Sequence, residues 1–185
     1  ALVTASSAAP AAAPAAPSGG DGRGLTAAAQ GGESGRWTAD FQSGWKDDDG
    51  VRRLHLSLQT ADGDDRWGVG VPVADLEGLP AAARDGTASD VTFRLVREAG
   101  TLTLRGAFAD GRGSGTYTFA PSDGYVSAMA ALGYRDLGGQ GRDSRGRRLM
   151  RLAVLDVTTA FAREVREAGQ ADLAIDDLVR FRIHG

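Results

Sequence analysis

Two acidic runs are the residues in this chain that most resemble a metal site. Asp47-Asp48-Asp49-Gly50 and Asp62-Gly63-Asp64-Asp65 supply the carboxylate oxygens that calcium prefers, and calcium takes about six to eight oxygen ligands. Neither run has the alternating Asp-x-Asp-x-Asp-Gly spacing that directs several carboxylates to one ion. We therefore predict solvated turns at both runs, and no bound metal or cofactor.

Residue types that catalyse reactions are scarce. His55 and His184 are the only histidines, and the absence of cysteine excludes disulfides, thiolate metal sites and a cysteine nucleophile. His55 falls on the polar side of an alternating segment and His184 near a helix end, so we expect structural roles for both. A hydrolase that uses two carboxylates stays open, because any two Asp residues can meet in space. The sequence favours a protein that is not an enzyme.

One basic cluster is a candidate binding surface, and its members are Arg142, Arg145, Arg147, Arg148 and Arg151. Such a cluster suits an acidic partner, anionic lipid headgroups or nucleic-acid phosphates, and a solvated flexible loop is the structural alternative. Because no aromatic residues are interleaved with these arginines, nucleic acid is not expected. We predict these five arginines as partner-binding residues, with a protein or a second copy of the chain as the partner.

The first 35 residues have the composition of a tether. Residues 1–17 are nearly all Ala, Pro, Ser and Thr, and residues 18–35 are rich in Gly, so they can bury little apolar surface. The segment could be a spacer, an arm that pairs with a neighbouring subunit through Leu2-Val3-Thr4, or an inert tail. No apolar run approaches the roughly 18 residues of a membrane span, so no transmembrane segment is predicted.

Residues 36–121 alternate apolar and polar side chains with a period of two, which is typical of half-buried strands. Leu54–Leu58 and Trp67–Val71 are separated by an Asp-Gly pair, which favours a tight hairpin turn. Similar segments follow as far as Phe119. We predict an antiparallel β-meander of five to six strands with one apolar face.

Residues 122–185 contain the same pattern twice. Leu149–Asp156 aligns with Leu178–Gly185 at an offset of 29, and Tyr125–Leu137 aligns with Phe161–Leu173 at an offset of 36. The difference of seven places an insertion in the first copy, within residues 138–148, where it would hold most of the arginines in a loop. This similarity predicts two degenerate helical repeats, 125–156 and 161–185, that pack on the sheet or trail from it. The predicted fold class is therefore α+β.

Several motifs carry a resemblance to a known family. They are Phe93–Phe108, Asp110–Phe119, Leu132-Gly133-Tyr134, Asp136-Leu137, Val157-Thr158 and Arg182-Ile183-His184-Gly185. From about Trp67 to Gly185 the chain resembles the extracytoplasmic tail of bacterial antirepressor-type, β-lactam-sensing membrane zinc metallopeptidases. Their peptidase motif, His-Glu-x-x-His, is absent, and Gln170, Ala174 and Leu155-Asp156 depart from the repeat pattern. The resemblance implies a non-catalytic sensor or interaction piece in the periplasm or at the cell surface.

Three hypotheses of function follow. The first is a non-enzymatic interaction or sensor module of the bacterial cell envelope, as the tail of a membrane regulator. The second is a structural subunit that self-assembles into a filament or surface layer through its N-terminal arm. The third is a carboxylate-based hydrolase.

Overall fold

The computed structural model describes residues 31–41, 50–140, 143–169 and 174–184 of the 185-residue chain. These residues form an antiparallel sheet followed by helices, which confirms the α+β class. The sheet begins at Glu33, before the predicted boundary at residue 35. The predicted pairing arm, Leu2-Val3-Thr4, lies outside the described residues.

Seven strands make up the main sheet, one or two more than predicted. They are β1 (Glu33–Asp40), β2 (Arg53–Thr60), β3 (Arg66–Pro72), β4 (Leu76–Glu77), β5 (Thr87–Arg97), β6 (Gly100–Ala109) and β7 (Arg112–Pro121). A two-stranded hairpin, β8 (Gly139–Gln140) and β9 (Asp143–Ser144), stands apart from that sheet. The α-helices are α1 (Ala82–Asp85), α2 (Asp123–Ala131), α3 (Arg145–Val154), α4 (Thr159–Glu167) and α5 (Ile175–His184). None of the described helices is long and apolar enough to cross a membrane.

The sheet is curled, because its two edges are joined by a very short connection. The strand order is β3-β2-β1-β7-β6-β5-β4, and only the 3-10 turn Val73–Asp75 separates β3 from β4. Six strand spacings of about 4.8 Å would put the edges of a flat sheet about 29 Å apart. The four Cα–Cα steps from Pro72, the end of β3, to Leu76, the start of β4, reach at most about 14 Å. The sheet therefore wraps around its own apolar face, and its strand order departs from the predicted meander because β1 lies between β2 and β7.

The observed hairpins follow the alternating pattern. Leu54 pairs with Val71 and Leu58 pairs with Trp67 across β2 and β3, and the side chains of Leu54, Leu56 and Leu58 are fully buried. The β6–β7 turn uses positive φ angles at Asp110 and Gly111, as the Asp-Gly pair favours. The alternation therefore predicts correctly the buried face of these strands, whereas the short strand β4 was not predicted.

Trp37 is buried in the enclosed core, and two glycines leave the space that its indole ring occupies. Its β1 position pairs with Gly115 of β7, which pairs in turn with Gly106 of β6. The indole Nε1 donates hydrogen bonds of 3.1 Å to the carbonyls of Arg105 and Thr116. Because both glycines lack a side chain, the ring can lie against the backbone of β6 and β7 and also pack on Phe93 and Phe108.

The helices close one end of the curled sheet instead of covering its apolar face. The Glu98 carboxylate, in the β5–β6 turn, accepts a hydrogen bond from the backbone N–H of Thr159 at the start of α4. Arg97 beside that turn forms an ion pair with Asp156, and helix α3 contacts β1, β6 and β7. The phenol of Tyr125 in α2 donates to the carbonyl of Val157 and ties the helices together. The described helices therefore pack against one end of the sheet and contribute to the same core.

The glycine pair under Trp37 yields a test of the core. A Cβ added at Gly115 would lie 1.9 Å from the Arg105 carbonyl oxygen and 2.7 Å from the Gly106 Cα. We expect Gly115→Ala to lower the free energy of unfolding by about 2–3 kcal/mol, because the strands must separate. The matched control is Gly138→Ala, where a Cβ meets nothing within 4 Å and the cost should stay within about 0.5 kcal/mol. Equal denaturation midpoints for the two variants would contradict this account.

Candidate functional site

The predicted arginine cluster lies mainly on a helix and not in a loop. Arg145, Arg147, Arg148 and Arg151 belong to α3, which begins after the N-cap Ser144, and Arg142 lies outside the described residues. Three of these side chains already have acidic partners: Arg145 pairs with Asp123, Arg147 with Asp62 and Asp65, and Arg148 with Asp136. The loop placement is therefore wrong, and partner binding by these residues stays a prediction.

Arg147 is a structural clamp between α3 and the β2–β3 turn. Its side chain is only 10% exposed, and its two terminal nitrogens lie 2.6 Å from Asp62 and 2.9 Å from Asp65. The Ser144 hydroxyl accepts from the Arg147 backbone N–H and donates to Glu33 at the start of β1. These contacts fix the first turn of α3 against two strand ends, because a buried guanidinium needs charged partners.

The β2–β3 turn that supplies these carboxylates is held by hydrogen bonds to Asp62. The pKa of Asp62 is lowered from 3.8 to about 2, first because the Thr60 hydroxyl donates to it and next because Arg147 does. The backbone N–H of Asp64 donates to the same carboxylate. Asp62 and Asp65 thus converge on the guanidinium of Arg147. Among the described residues, no group of three or more acidic or histidine side chains is placed to hold a metal ion.

A buried phenol stands beside the clamp. The Tyr117 hydroxyl is enclosed, has no hydrogen-bond partner within the described structure, and lies in the field of Glu33 and Arg147. Burial is the largest cause of a raised pKa for this tyrosine, so it stays neutral at physiological pH.

The outer face of the sheet carries most of the strand arginines. We use "outer face" for the outward-pointing positions of β3, β2, β1, β7 and β6. Five arginines and one acidic residue occupy these positions: Arg36, Arg53, Arg66, Arg105, Arg112 and Asp40. Cations therefore outnumber anions at these positions, although the whole chain has a net charge of −3.

Three of these cations form a line that we call the arginine row: Arg66, Arg36 and Arg105. The register places Arg66 opposite Gln59, Gln59 opposite Arg36, Arg36 opposite Thr116, and Thr116 opposite Arg105. One strand lies between successive arginines, so they are spaced by about 10 Å. All three side chains are exposed, and none makes a salt bridge or side-chain hydrogen bond in the described part of the chain.

A shallow groove runs beside the arginine row. It is lined by Thr38, Ala39, Asp40, His55, Ser57, Arg112 and Gly113. The imidazole of His55 leans over Gly68, with Nε2 3.3 Å from the point where a Cβ would stand. His55 makes no hydrogen bond within the described residues, so its neighbour in register, Asp40, does not orient it as the acid of a catalytic triad would. The groove offers the hydroxyl groups of Thr38 and Ser57 to a polar ligand, and its one arginine, Arg112, forms an ion pair with Asp40.

No family model matches this sequence, and comparison with curated proteins and with solved structures finds no significant similarity.

The arginine row could not be found from the sequence. Alternation indicates that Arg36, Arg66 and Arg105 each point away from an apolar face. The row exists because β1 pairs with β7, about 80 residues away along the chain, and no local pattern specifies that pairing.

The acidic turn predicts how stability depends on pH. The pKa of Asp62 is lower in the folded state, so its contribution is present above about pH 4 and is lost as the pH falls toward 2. We expect the unfolding midpoint to fall in that range, and Asp62→Asn to flatten the decrease. Asp64→Asn, in the same turn, is the matched control and should keep the slope of the parent protein. If the parent and the Asp62→Asn variant showed the same dependence of the unfolding midpoint on pH, the stabilising role of the Asp62–Arg147 contact would be ruled out.

Proposed function

We propose that this chain is a non-enzymatic binding module of the bacterial cell envelope, and that the outer face is its binding surface. The single observation that supports this is the arginine row, three exposed arginines on one sheet face that have no side-chain partner within the described residues. Unpaired cations held at fixed spacing are a favourable surface for an anionic partner, since no intramolecular ion pair must be broken first. The resemblance to tails of envelope sensors supports the extracytoplasmic location and a role beside a membrane regulator.

The structure of the acidic groups favours binding over hydrolysis. A carboxylate hydrolase needs one protonated and one ionised carboxyl group facing a shared space. Among the described residues, Asp62 and Asp65 converge on Arg147, and Asp75 and Asp156 converge on Arg97. The pKa of Asp62 is lowered and not raised. That environment keeps Asp62 ionised and suits a structural ion pair.

We further infer that the C-terminal helices form two copies of one helix-pair unit. Helix α4 spans nine residues and begins 36 positions after α2, which is also nine residues long. Each has a hydroxyl N-cap that accepts a hydrogen bond from the backbone N–H three positions later: Ser122 accepts from Tyr125, and Thr158 accepts from Phe161. The glycines that follow these helices, Gly133 and Gly169, both have φ above +90°. The two helices thus share their N-caps and their C-terminal glycines at the same offset of 36 residues, and a duplicated unit would retain such features.

The second copy leaves apolar side chains uncovered, which favours self-association as a second candidate function. Leu149 and its counterpart Leu178 are both fully buried. Leu152 is also fully buried, whereas its counterpart Phe181 is 42% exposed, and Ile183 is 55% exposed. In the first copy this position belongs to the buried core. On α5 the same position could be covered by a second copy of the chain.

Binding to the cell envelope is tested by sedimentation with isolated bacterial envelope fragments. We expect the protein to sediment with them at low salt and to be released at high salt, because the contact is electrostatic. The triple variant Arg36→Gln, Arg66→Gln and Arg105→Gln should stay in the supernatant. The matched control changes three arginines of the helical part to Gln: Arg135, Arg163 and Arg180. Absence of sedimentation, or equal loss in both variants, would count against the proposed binding surface.

Self-association is tested by analytical ultracentrifugation. We expect a concentration-dependent dimer that Phe181→Ser with Ile183→Ser converts to monomer, because the apolar contact is lost. Val96→Ser is the control, since Val96 is 44% exposed but belongs to β5 and not to α5. A parent protein that stays monomeric at all accessible concentrations would exclude this second candidate.

A further inference from the structure

We propose that the ligand of the outer face is an acidic polysaccharide, a linear sugar chain that carries a carboxylate at regular intervals. This inference rests on the proposed function and names the chemical class that the arginine row selects.

The first argument is geometric. Arg66 and Arg105 stand at the two ends of the row, about 19 Å apart along the sheet, and Arg36 lies between them. The outer face of a curled sheet is convex, so a compact ligand cannot reach all three guanidinium groups. A membrane surface is flat and would touch the convex face along a single ridge. An extended polymer can follow the curvature and present one anion to each arginine.

The second argument comes from the groups between the arginines. Gln59 and Thr116 separate the arginines within the row, and the neighbouring row across the strands holds Ser57, Thr38 and Ser114. Amide and hydroxyl side chains both donate and accept hydrogen bonds, as sugar hydroxyls do. An arginine can bind a carboxylate through two parallel hydrogen bonds. The face thus combines cations for the carboxylates with neutral polar groups for the sugar rings.

The third argument distinguishes a sugar polymer from a nucleic acid. Proteins that bind single-stranded nucleic acid stack the bases on aromatic side chains. The outward positions of these strands carry no aromatic residue, since Trp37, Tyr117 and Phe119 point into the core and are buried. Base stacking is therefore not available on this face, whereas charge pairing and hydrogen bonding are.

The test measures binding of the full chain to polygalacturonate by isothermal titration calorimetry at low and moderate salt. We expect binding at low salt that weakens as salt rises, and no binding to neutral dextran. The triple variant of the arginine row should lose roughly tenfold or more in affinity, because three charged contacts are removed. The control with Gln at Arg135, Arg163 and Arg180 has the same net charge and should bind like the parent. Circular dichroism and thermal midpoints establish that both variants are folded.

Three results would overturn the inference. One is no binding to polygalacturonate at low salt, and another is an equal loss of affinity in both triple variants. The third is tighter, row-dependent binding to oligothymidylate or to phosphatidylglycerol vesicles. If row-dependent sedimentation with envelope fragments persists while polygalacturonate does not bind, the polysaccharide assignment fails and the binding module stands. If neither is observed, both fail.

Discussion

The three-residue connection Val73–Asp75 is the constraint on which the rest of this structure depends. It ties the two edges of a seven-stranded sheet together, and a flat sheet could not satisfy it. Curling encloses the apolar face and leaves the polar positions on a convex exterior. The helices are then free to close one end of the sheet, where Arg97, Glu98 and Arg147 hold them by charged contacts.

The two groups of arginine have opposite roles, and the difference lies in their partners. Arg147 has a high charge density around it, with Asp62 and Asp65 within 3 Å, so its guanidinium is neutralised inside the fold. Arg36 forms no ion pair with any residue that the structure describes, and its cross-strand neighbours, Gln59 and Thr116, are uncharged. An arginine that is already paired contributes to stability, whereas an unpaired one on a rigid strand is available to a ligand.

Trp37 shows how packing in the interior and chemistry on the exterior are linked. Its indole lies against Gly106 and Gly115 and donates to the carbonyl of Arg105. The same contacts hold β1, β7 and β6 at the separation that spaces Arg36 from Arg105. A change in the core is therefore expected to disturb the outer face as well, since close-packed interiors transmit strain.

The sequence by itself determines most of the strands, their buried faces, the hairpin of β2 and β3, and the presence of C-terminal helices. These features depend on neighbours within a few residues, through side-chain alternation, turn residues and capping hydroxyls. It did not determine the closing pair β1–β7, the burial of Arg147 among carboxylates, or the alignment of Arg66, Arg36 and Arg105. Each of these joins segments tens of residues apart, and no local pattern specifies which distant strands become neighbours. The tertiary structure decided them through the edge connection that curls the sheet and brings those segments together.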